Sequence, residues 1–321
     1  MASEVTFEEW SSTYELVDST AGPQASREGL PIPVTIPIDL APGIKVVYTT
    51  RLGGSSQGDF ASFNLGARGG DDFEAVAANR LALSAAVGAP LALVSQVHSG
   101  RAVDVDAFGP DRARELAELE ADGLVSAQSN LALGVFAADC LPVLLADAEA
   151  GVIAAAHCGR RGLEQGIIGS TVERMLAQGA HAGSIVATLG PAICADCYEL
   201  GESLAASFEH RFPATASHTR FGGPGADLSL AARQELEAAG VEHLVDSNPR
   251  LAAATQYLVA DPELEQLCAS DGEGPSLEER MADLRHPRCT LENPLWYSHR
   301  RASLAGKPRE GRMLALIVRE G

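Results

Sequence analysis

Apolar residues along this chain fall into short unbroken runs separated by stretches with helical spacing, a pattern that predicts interleaved strands and helices. The densest run is Leu131 to Ala146 followed by Gly151 to Ala156, rich in Val, Leu and Ala. Between its halves, Asp147-Ala148-Glu149-Ala150-Gly151 has hairpin-loop chemistry. A two-residue loop at Ala148-Glu149 pairs Asp147 with Ala150, and that register carried along the ladder sets Cys140 directly opposite His157. Opposed residues of an antiparallel pair hold their Cβ atoms roughly 4.5–5.5 Å apart, a distance at which a thiolate and an imidazole can share one metal ion or one proton. Pro142 strains this register because it lacks a ladder donor and prefers edges or bulges. A one-residue slip would turn Cys140 and His157 to opposite faces.

The remaining pattern fills in around this hairpin. A strand from Lys45 to Thr50 ends in Arg51 and a glycine pair, and Gly53-Gly54-Ser55-Ser56 forms a loop whose N–H groups can approach an anion with Arg51 at its mouth; the alternative is a plain turn. Asp71 and Asp72 cap a helix from Phe73 to Val87. Leu91 to Asp106 reads as a strand pair or one bent strand bearing Gln96, His98 and Ser99, polar groups whose burial without partners would cost free energy. Arg112 to Glu120 is a short charged helix or loop on a solvated face. After His157, Gly159-Arg160-Arg161-Gly162 leads into helical spacing through Ile167, Val172, Met175 and Leu176. A strand, a glycine-bounded loop and a helix start favour an anion there, against the alternative of a solvated arginine pair. Ser184 to Leu189 is a strand, Gly201 to Arg211 and Asp227 to Ala239 are helices, and Val241 to Val245 is another strand. The stretch after Cys268 up to His286 is a polar, acidic insertion. Arg300 and Arg301 beside His299 form a polar wall before a closing strand, Gly311 to Val318. With no repeat and no Pro- or Ser-rich linker, the chain reads as one α/β domain spanning residues 31–321 after a loose N-terminal segment, residues 1–30.

Composition narrows the partners. At 46% hydrophobic and only 5% aromatic content, the core must be filled by Ala, Val and Leu. A net charge of −19, from 43 acidic and 24 basic residues, argues against nucleic acid, whose phosphates are held by clustered Lys and Arg. The start, MASEVTFEEW, carries acids where a signal peptide needs a basic region, and no run approaches the ~18–20 apolar residues of a membrane span, so a cytoplasmic protein without membrane contact is expected. Its six cysteines then read as thiols or ligands rather than a disulfide framework. Cys194-Ala195-Asp196-Cys197 fits a redox pair or half of a zinc site; the latter would recruit Cys268 and Cys289, but no second short Cys-x-x-Cys follows.

Taken together, Thr49-Thr50-Arg51 with Gly53-Gly54, Phe63-Asn64-Leu65-Gly66, Gln96-Val97-His98, Ala138-Asp139-Cys140-Leu141-Pro142-Val143, Ala156-His157 with Gly159 and Arg161-Gly162, Gly190-Pro191, Cys197-Tyr198-Glu199, and Ser298-His299-Arg300-Arg301 with Gly311-Arg312-Met313 resemble the YfiH-type family over about residues 36–318. That family has been called laccase-domain or multicopper polyphenol oxidase, purine nucleoside phosphorylase and peptidoglycan editing factor. The resemblance implies a single-domain four-layer α/β/β/α sandwich with mixed sheets and a zinc site with His98, Cys140 and His157 as ligands. It also implies phosphorolysis of adenosine, inosine, guanosine and methylthioadenosine, with adenosine deamination as a second activity. Where the family commonly has His-Ala-Gly-Trp-Arg-Gly, this chain has His157-Cys158-Gly159-Arg160-Arg161-Gly162 and so lacks an aromatic platform on that rim.

A Cys and two His with an open fourth position are the donor set of a catalytic zinc. Deamination would use an activated water against the purine carbon that carries the amine, with Asp139 relaying protons or orienting a histidine. Phosphorolysis would use phosphate held by Arg51 and by Arg161 or Arg300, with Asn64 also on the substrate side. The partners are thus a purine nucleoside and phosphate. Copper is the alternative metal and phenol oxidation the alternative reaction, yet no Met sits in a ligand motif and the eight histidines are scattered. A third reading, editing of peptidoglycan precursors, uses Cys140 as nucleophile and His157 as base.

Overall fold

Strands buried on both faces need no alternation of polar and apolar residues, and the longest apolar runs of this chain are used in that way. The computed structural model describes residue 26, residues 29–109 and residues 112–321, so the N-terminal segment lies almost wholly outside the described residues. In chain order the strands are β1 (Thr35–Ala41), β2 (Ile44–Thr49), β3 (Leu91–Ala92), β4 (Ala102–Asp104), β5 (Gly123–Ser126), β6 (Ala132–Ala137), β7 (Leu141–Asp147), β8 (Val152–Cys158), β9 (Val186–Leu189), β10 (Ala216–His218), β11 (Pro224–Ala226), β12 (His243–Val245) and β13 (Met313–Arg319). The helices are α1 (Phe73–Val87), α2 (Arg112–Glu118), α3 (Arg160–Glu164), α4 (Ile167–Ala177), α5 (Glu202–Arg211), α6 (Leu228–Ala238), α7 (Asn248–Leu258), α8 (Pro262–Ser270), α9 (Leu277–Ala282) and α10 (His299–Leu304). As the sequence predicts, α1 is capped by Asp72, whose side chain accepts from the Ala75 N–H, and it stops at Gly88 with φ +69°.

Two mixed sheets carry the domain, a five-stranded one ordered β1-β2-β13-β6-β3 and a six-stranded one ordered β12-β9-β7-β8-β5-β4. One core joins them: Val46, Tyr48, Leu133, Val135, Ala315 and Ile317 from the first sheet meet Leu124, Leu144, Ala146, Ile153 and Ala155 from the second. The opposite faces of β7 and β8, with Val143, Leu145, Ala154 and Ala156, pack on Ile168, Val172 and Met175 of α4 and on Ala231 and Leu236 of α6. On the far side of the first sheet, Val47, Leu314 and Leu316 pack on Phe63, Leu65 and Leu83 of α1. The mixed α/β class therefore stands.

Three local expectations are corrected. The run Leu131 to Ala146 is two strands in different sheets, because the chain turns at Ala138–Cys140, with Asp139 at φ +96°, and crosses from β6 to β7. The hairpin loop is longer than two residues: Asp147 pairs with Val152, its Oδ1 accepts from the N–H groups of Glu149 and Ala150 at 3.1 and 3.0 Å, and Gly151 at φ +68° completes the turn. Pro142, rather than Cys140, consequently faces His157 across the ladder. That displacement is by two positions, so the parity of faces survives. The acidic insertion after Cys268 turns two of its acids inward. The side chains of Asp271 and Glu273 are buried in an ion cluster in which Asp271 takes Arg51 at 3.1 Å and Arg280 at 2.7 Å, while Glu273 takes Arg301 at 2.8 Å and Lys307 at 2.9 Å.

Candidate metal centre

Register places three chain segments at one end of the six-stranded sheet. Ala102 at the start of β4 pairs with Gly123 at the start of β5, Gly123 pairs with Ala156 near the end of β8, and Leu141 at the start of β7 pairs with Cys158. The loop that enters β4 carries His98, the turn that enters β7 carries Cys140, and His157 stands at the end of β8. Both entering segments come from the other sheet, from β3 and from β6, so the site lies where the chain twice changes sheets.

The side chains converge. The ligand atoms of His98, Cys140 and His157 all lie within 4.8 Å of one another. Cys140 Sγ is 3.6 Å from His98 Nε2, close to the ~3.5 Å edge of a tetrahedron built on Zn–S and Zn–N bonds of ordinary length. The two imidazoles meet edge to face with centroids 4.8 Å apart. Gly159 provides the room: a Cβ there would lie 2.7 Å from His98 Cδ2 and 2.9 Å from Cys140 Sγ. His157 and Cys140 are withdrawn from water to different degrees and His98 is exposed, which leaves one side of the trio open to solvent. A soft sulfur and two imidazoles at this spacing fit a divalent ion such as zinc, with a position left for a further ligand.

Asp122, absent from the expected site residues, organises it. Fully buried, its carboxylate accepts from the N–H groups of Val97 (3.3 Å), His98 (3.0 Å) and Ser99 (2.6 Å), from the Ser99 hydroxyl (2.7 Å), and from His157 Nδ1 (2.8 Å). The first three bonds hold His98 at φ +62°, a backbone region disfavoured for a side chain of this size. The last fixes the His157 tautomer and aims Nε2 at the trio. Burial raises the Asp122 carboxyl, but the His157 and Ser99 hydrogen bonds outweigh it and hold the pKa at about 2. Burial likewise raises the Cys140 thiol, yet the charge and hydrogen bond of His157, with His98, bring it down to about 6. Burial depresses His157, and the Cys140 thiolate and Asp122 lift it to about 9. The two shifts have one cause, the mutual attraction of a Cys140 thiolate and a His157 imidazolium.

The other expected site residues divide. Arg300 reaches the rim: its guanidinium lies 5.8 Å from the centroid of the Tyr198 ring and donates to the Glu199 carbonyl at 2.9 Å. Tyr198 shares that rim, its phenol pushed up to about 12 first by burial and then by the Cys140 charge, against the pull of Arg160 and Arg300. Arg161 is exposed on α3, a helix of only five residues whose dipole adds little to an anion, while Arg160 is paired with Glu164 at 2.6 Å. Asp139 is a brace: its oxygens accept from the Thr290 hydroxyl and the Arg300 N–H, both at 2.6 Å, which leaves the histidines to Asp122. Arg51 is corrected from anion binder to buried ion-pair partner of Asp271. The neighbouring glycine loop does hold an anion, but it is the chain's own Glu263, whose Oε2 accepts from the Gly53 N–H at 2.9 Å. Asn64 is also structural, bonded to Asp71 and to the backbone of Gly66 and Arg312. Cys268 packs in the core between the sheets, apart from Cys194 and Cys197.

Residues 45–258 match the family described as multi-copper polyphenol oxidoreductase laccase. A purine nucleoside phosphorylase of Mycobacterium tuberculosis is 43% identical over 224 residues, covering 69% of this chain and 85% of its own. Adenosine deaminase RL5, from an unknown prokaryotic organism, is 35% identical over 217 residues, covering 62% of this chain and 80% of its own. Among solved structures, Neisseria meningitidis protein NMB0706 superposes with a TM-score of 0.67 at 31% identity, covering 90% of this chain and 99% of that one.

Proposed function

Because the chain belongs to the YfiH-like, multi-copper polyphenol oxidoreductase laccase family, we propose that it is a zinc-dependent purine nucleoside phosphorylase with adenosine deaminase as a second activity. The observation that carries this reading is the convergence of His98, Cys140 and His157 on one open-sided position, joined to relatives named for these two reactions. A divalent ion held there supplies a Lewis acid that polarises oxygen and lowers the pKa of a water. The chain's own groups do the rest. Asp122 keeps the His157 Nδ1 proton and so leaves Nε2 free to ligate. Arg300 and Arg161 provide positive charge for phosphate beside the anomeric carbon, and Tyr198 supplies an aromatic surface on a rim that has Arg160 where the family commonly carries Trp. Adenosine, inosine, guanosine and methylthioadenosine are the proposed substrates.

Copper-dependent phenol oxidation is the second reading, favoured by the family's description. Against it, only a Cys and two His gather at this position among the described residues, fewer donors than several coppers need. The Cys140–His157 pair also suits a thiolate nucleophile for precursor editing. Chromatography of adenosine incubated with the zinc-loaded protein, with and without phosphate, tests the proposal. Adenine forms only with phosphate, hypoxanthine or inosine marks deamination, and His98→Ala abolishes both. Unchanged adenosine, together with copper-dependent oxidation of a phenol or hydrolysis of a muropeptide, overturns it.

A further inference from the structure

A second group of ligands lies outside the site already described. Cys194, Cys197, Cys289 and Glu292 bring three sulfurs and one carboxylate oxygen within 4.8 Å of one another. Cys197, Cys289 and Glu292 are buried, and Cys194 is half-buried. Two chain segments contribute two donors each at the same spacing: Cys194-Ala195-Asp196-Cys197 and Cys289-Thr290-Leu291-Glu292. These segments lie side by side, with the Ala192 N–H donating to the Arg288 carbonyl and the Thr290 N–H to the Ala192 carbonyl, both at 3.1 Å.

We propose that this group is a second, structural metal site, a tetrahedral Cys3Glu site for zinc that clamps the two segments together. Its dimensions fit. Glu292 Oε1 is 3.4 Å from Cys197 Sγ and 3.8 Å from Cys194 Sγ, either side of the ~3.5 Å separation of sulfur and oxygen on a tetrahedral zinc. A disulfide within this group would use two sulfurs and leave the third thiol out, whereas one ion takes all three. The surroundings also suit an anionic ligand set. Arg220 Nη2 is 2.9 Å from Glu292 Oε1, the N–H groups of Arg285 and His286 donate to Oε2 at 2.9 and 2.8 Å, and the Cys194 N–H points at Cys289 Sγ from 3.4 Å. On binding, three thiols release their protons, and the two charges left over after a divalent ion is counted against three thiolates and a carboxylate are offset by these donors.

The clamp has a structural consequence for the first site. Ile193 N–H donates to the Asp139 carbonyl at 3.0 Å from one clamped segment, and the Thr290 hydroxyl donates to the Asp139 carboxylate at 2.6 Å from the other. Asp139 precedes Cys140, so the ion fixes the segments that brace the turn presenting the first site's thiol. The site is independent of the reaction assigned above, and its test avoids activity. Cobalt(II) titration of Cys140→Ser, which lacks the first site's sulfur, reads the second site through its thiolate-to-metal absorption in the near ultraviolet. About one cobalt with strong thiolate absorption is expected in this variant, and about two metal ions per chain in the zinc-loaded wild type. Cys194→Ser in the Cys140→Ser background loses that absorption. Chelation lowers the Tm of Cys140→Ser by several degrees on the order expected when a tight structural ion is removed. The proposal is overturned if Cys140→Ser shows no thiolate–cobalt absorption, or if mass spectrometry of the native protein finds Cys194 and Cys197 joined as a disulfide.

Discussion

Replacing Asp122 with Asn keeps the shape of the side chain and removes its charge, and the hydrogen-bond geometry dictates the outcome. One oxygen receives Ser99 N–H, Ser99 Oγ–H and Val97 N–H; the other receives His98 N–H and His157 Nδ1–H. An amide offers one acceptor, so its NH2 must face one of these two groups of donors. Facing the first, it opposes two fixed backbone N–H groups. Facing the second, it opposes His98 N–H, and His157 can relieve the remaining clash only by moving its proton to Nε2, which removes its metal-ligating lone pair. Two buried donors deprived of a charged acceptor cost about 2–4 kcal/mol of stability, and loss of a ligand-orienting partner costs about 10- to 100-fold in metal affinity. Melting of the metal-free protein measures the first quantity, and zinc competition against a chromophoric chelator measures the second. An Asn variant that binds zinc within about twofold of wild type would refute the role assigned to Asp122.

Further outcomes follow from the same contacts. Gly159→Ala pushes a methyl against His98 and Cys140, and metal affinity falls by about tenfold or more while circular dichroism stays native. Arg51→Met leaves Asp271 and Glu273 with their other cations, so it costs about 3 kcal/mol in denaturant melts, the low end for a broken buried pair, and changes the phosphate KM less than about twofold. Arg300→Ala raises that KM by roughly tenfold in steady-state kinetics. Burial lifts the Glu235 carboxyl to about 7, against the hydrogen bond from Ile168 N–H. The folded state therefore holds a proton that the unfolded chain releases, and stability declines as pH rises from about 4.5 to 7. Glu235→Gln removes that decline, so its Tm exceeds wild type at pH 8 and matches it at pH 4.

The parts of the fold that were legible in the sequence are those fixed by neighbours along the chain. The helix Phe73–Val87 could be read to the residue because its spacing and its aspartate cap are local. Cys140 and His157 do meet, as the hairpin predicts, but Cys140 stands in the turn before β7 and Pro142 is the residue opposite His157. What failed depends on long-range pairing. Arg51 before two glycines reads as an anion binder until Asp271, 220 positions away, is folded against it. Asp122 is the acid that leads into the apolar strand Gly123–Ser126, and the one signal it carries is that such an acid needs several partners if buried. Cys289 is legible as a partner for Cys194 and Cys197, whereas Glu292 is not, because a carboxylate three residues after a single Cys carries no zinc-motif signal.

If one divalent ion is held jointly by residues from three separate chain segments, its position is visible in a crystal. An anomalous difference map at the zinc absorption edge, from crystals of the purified protein, tests this most directly. The expected map has a peak bonded to His98 Nε2, Cys140 Sγ and His157 Nε2, with His157 Nδ1 still on Asp122. A map from zinc-loaded protein with no peak between these three side chains would contradict it.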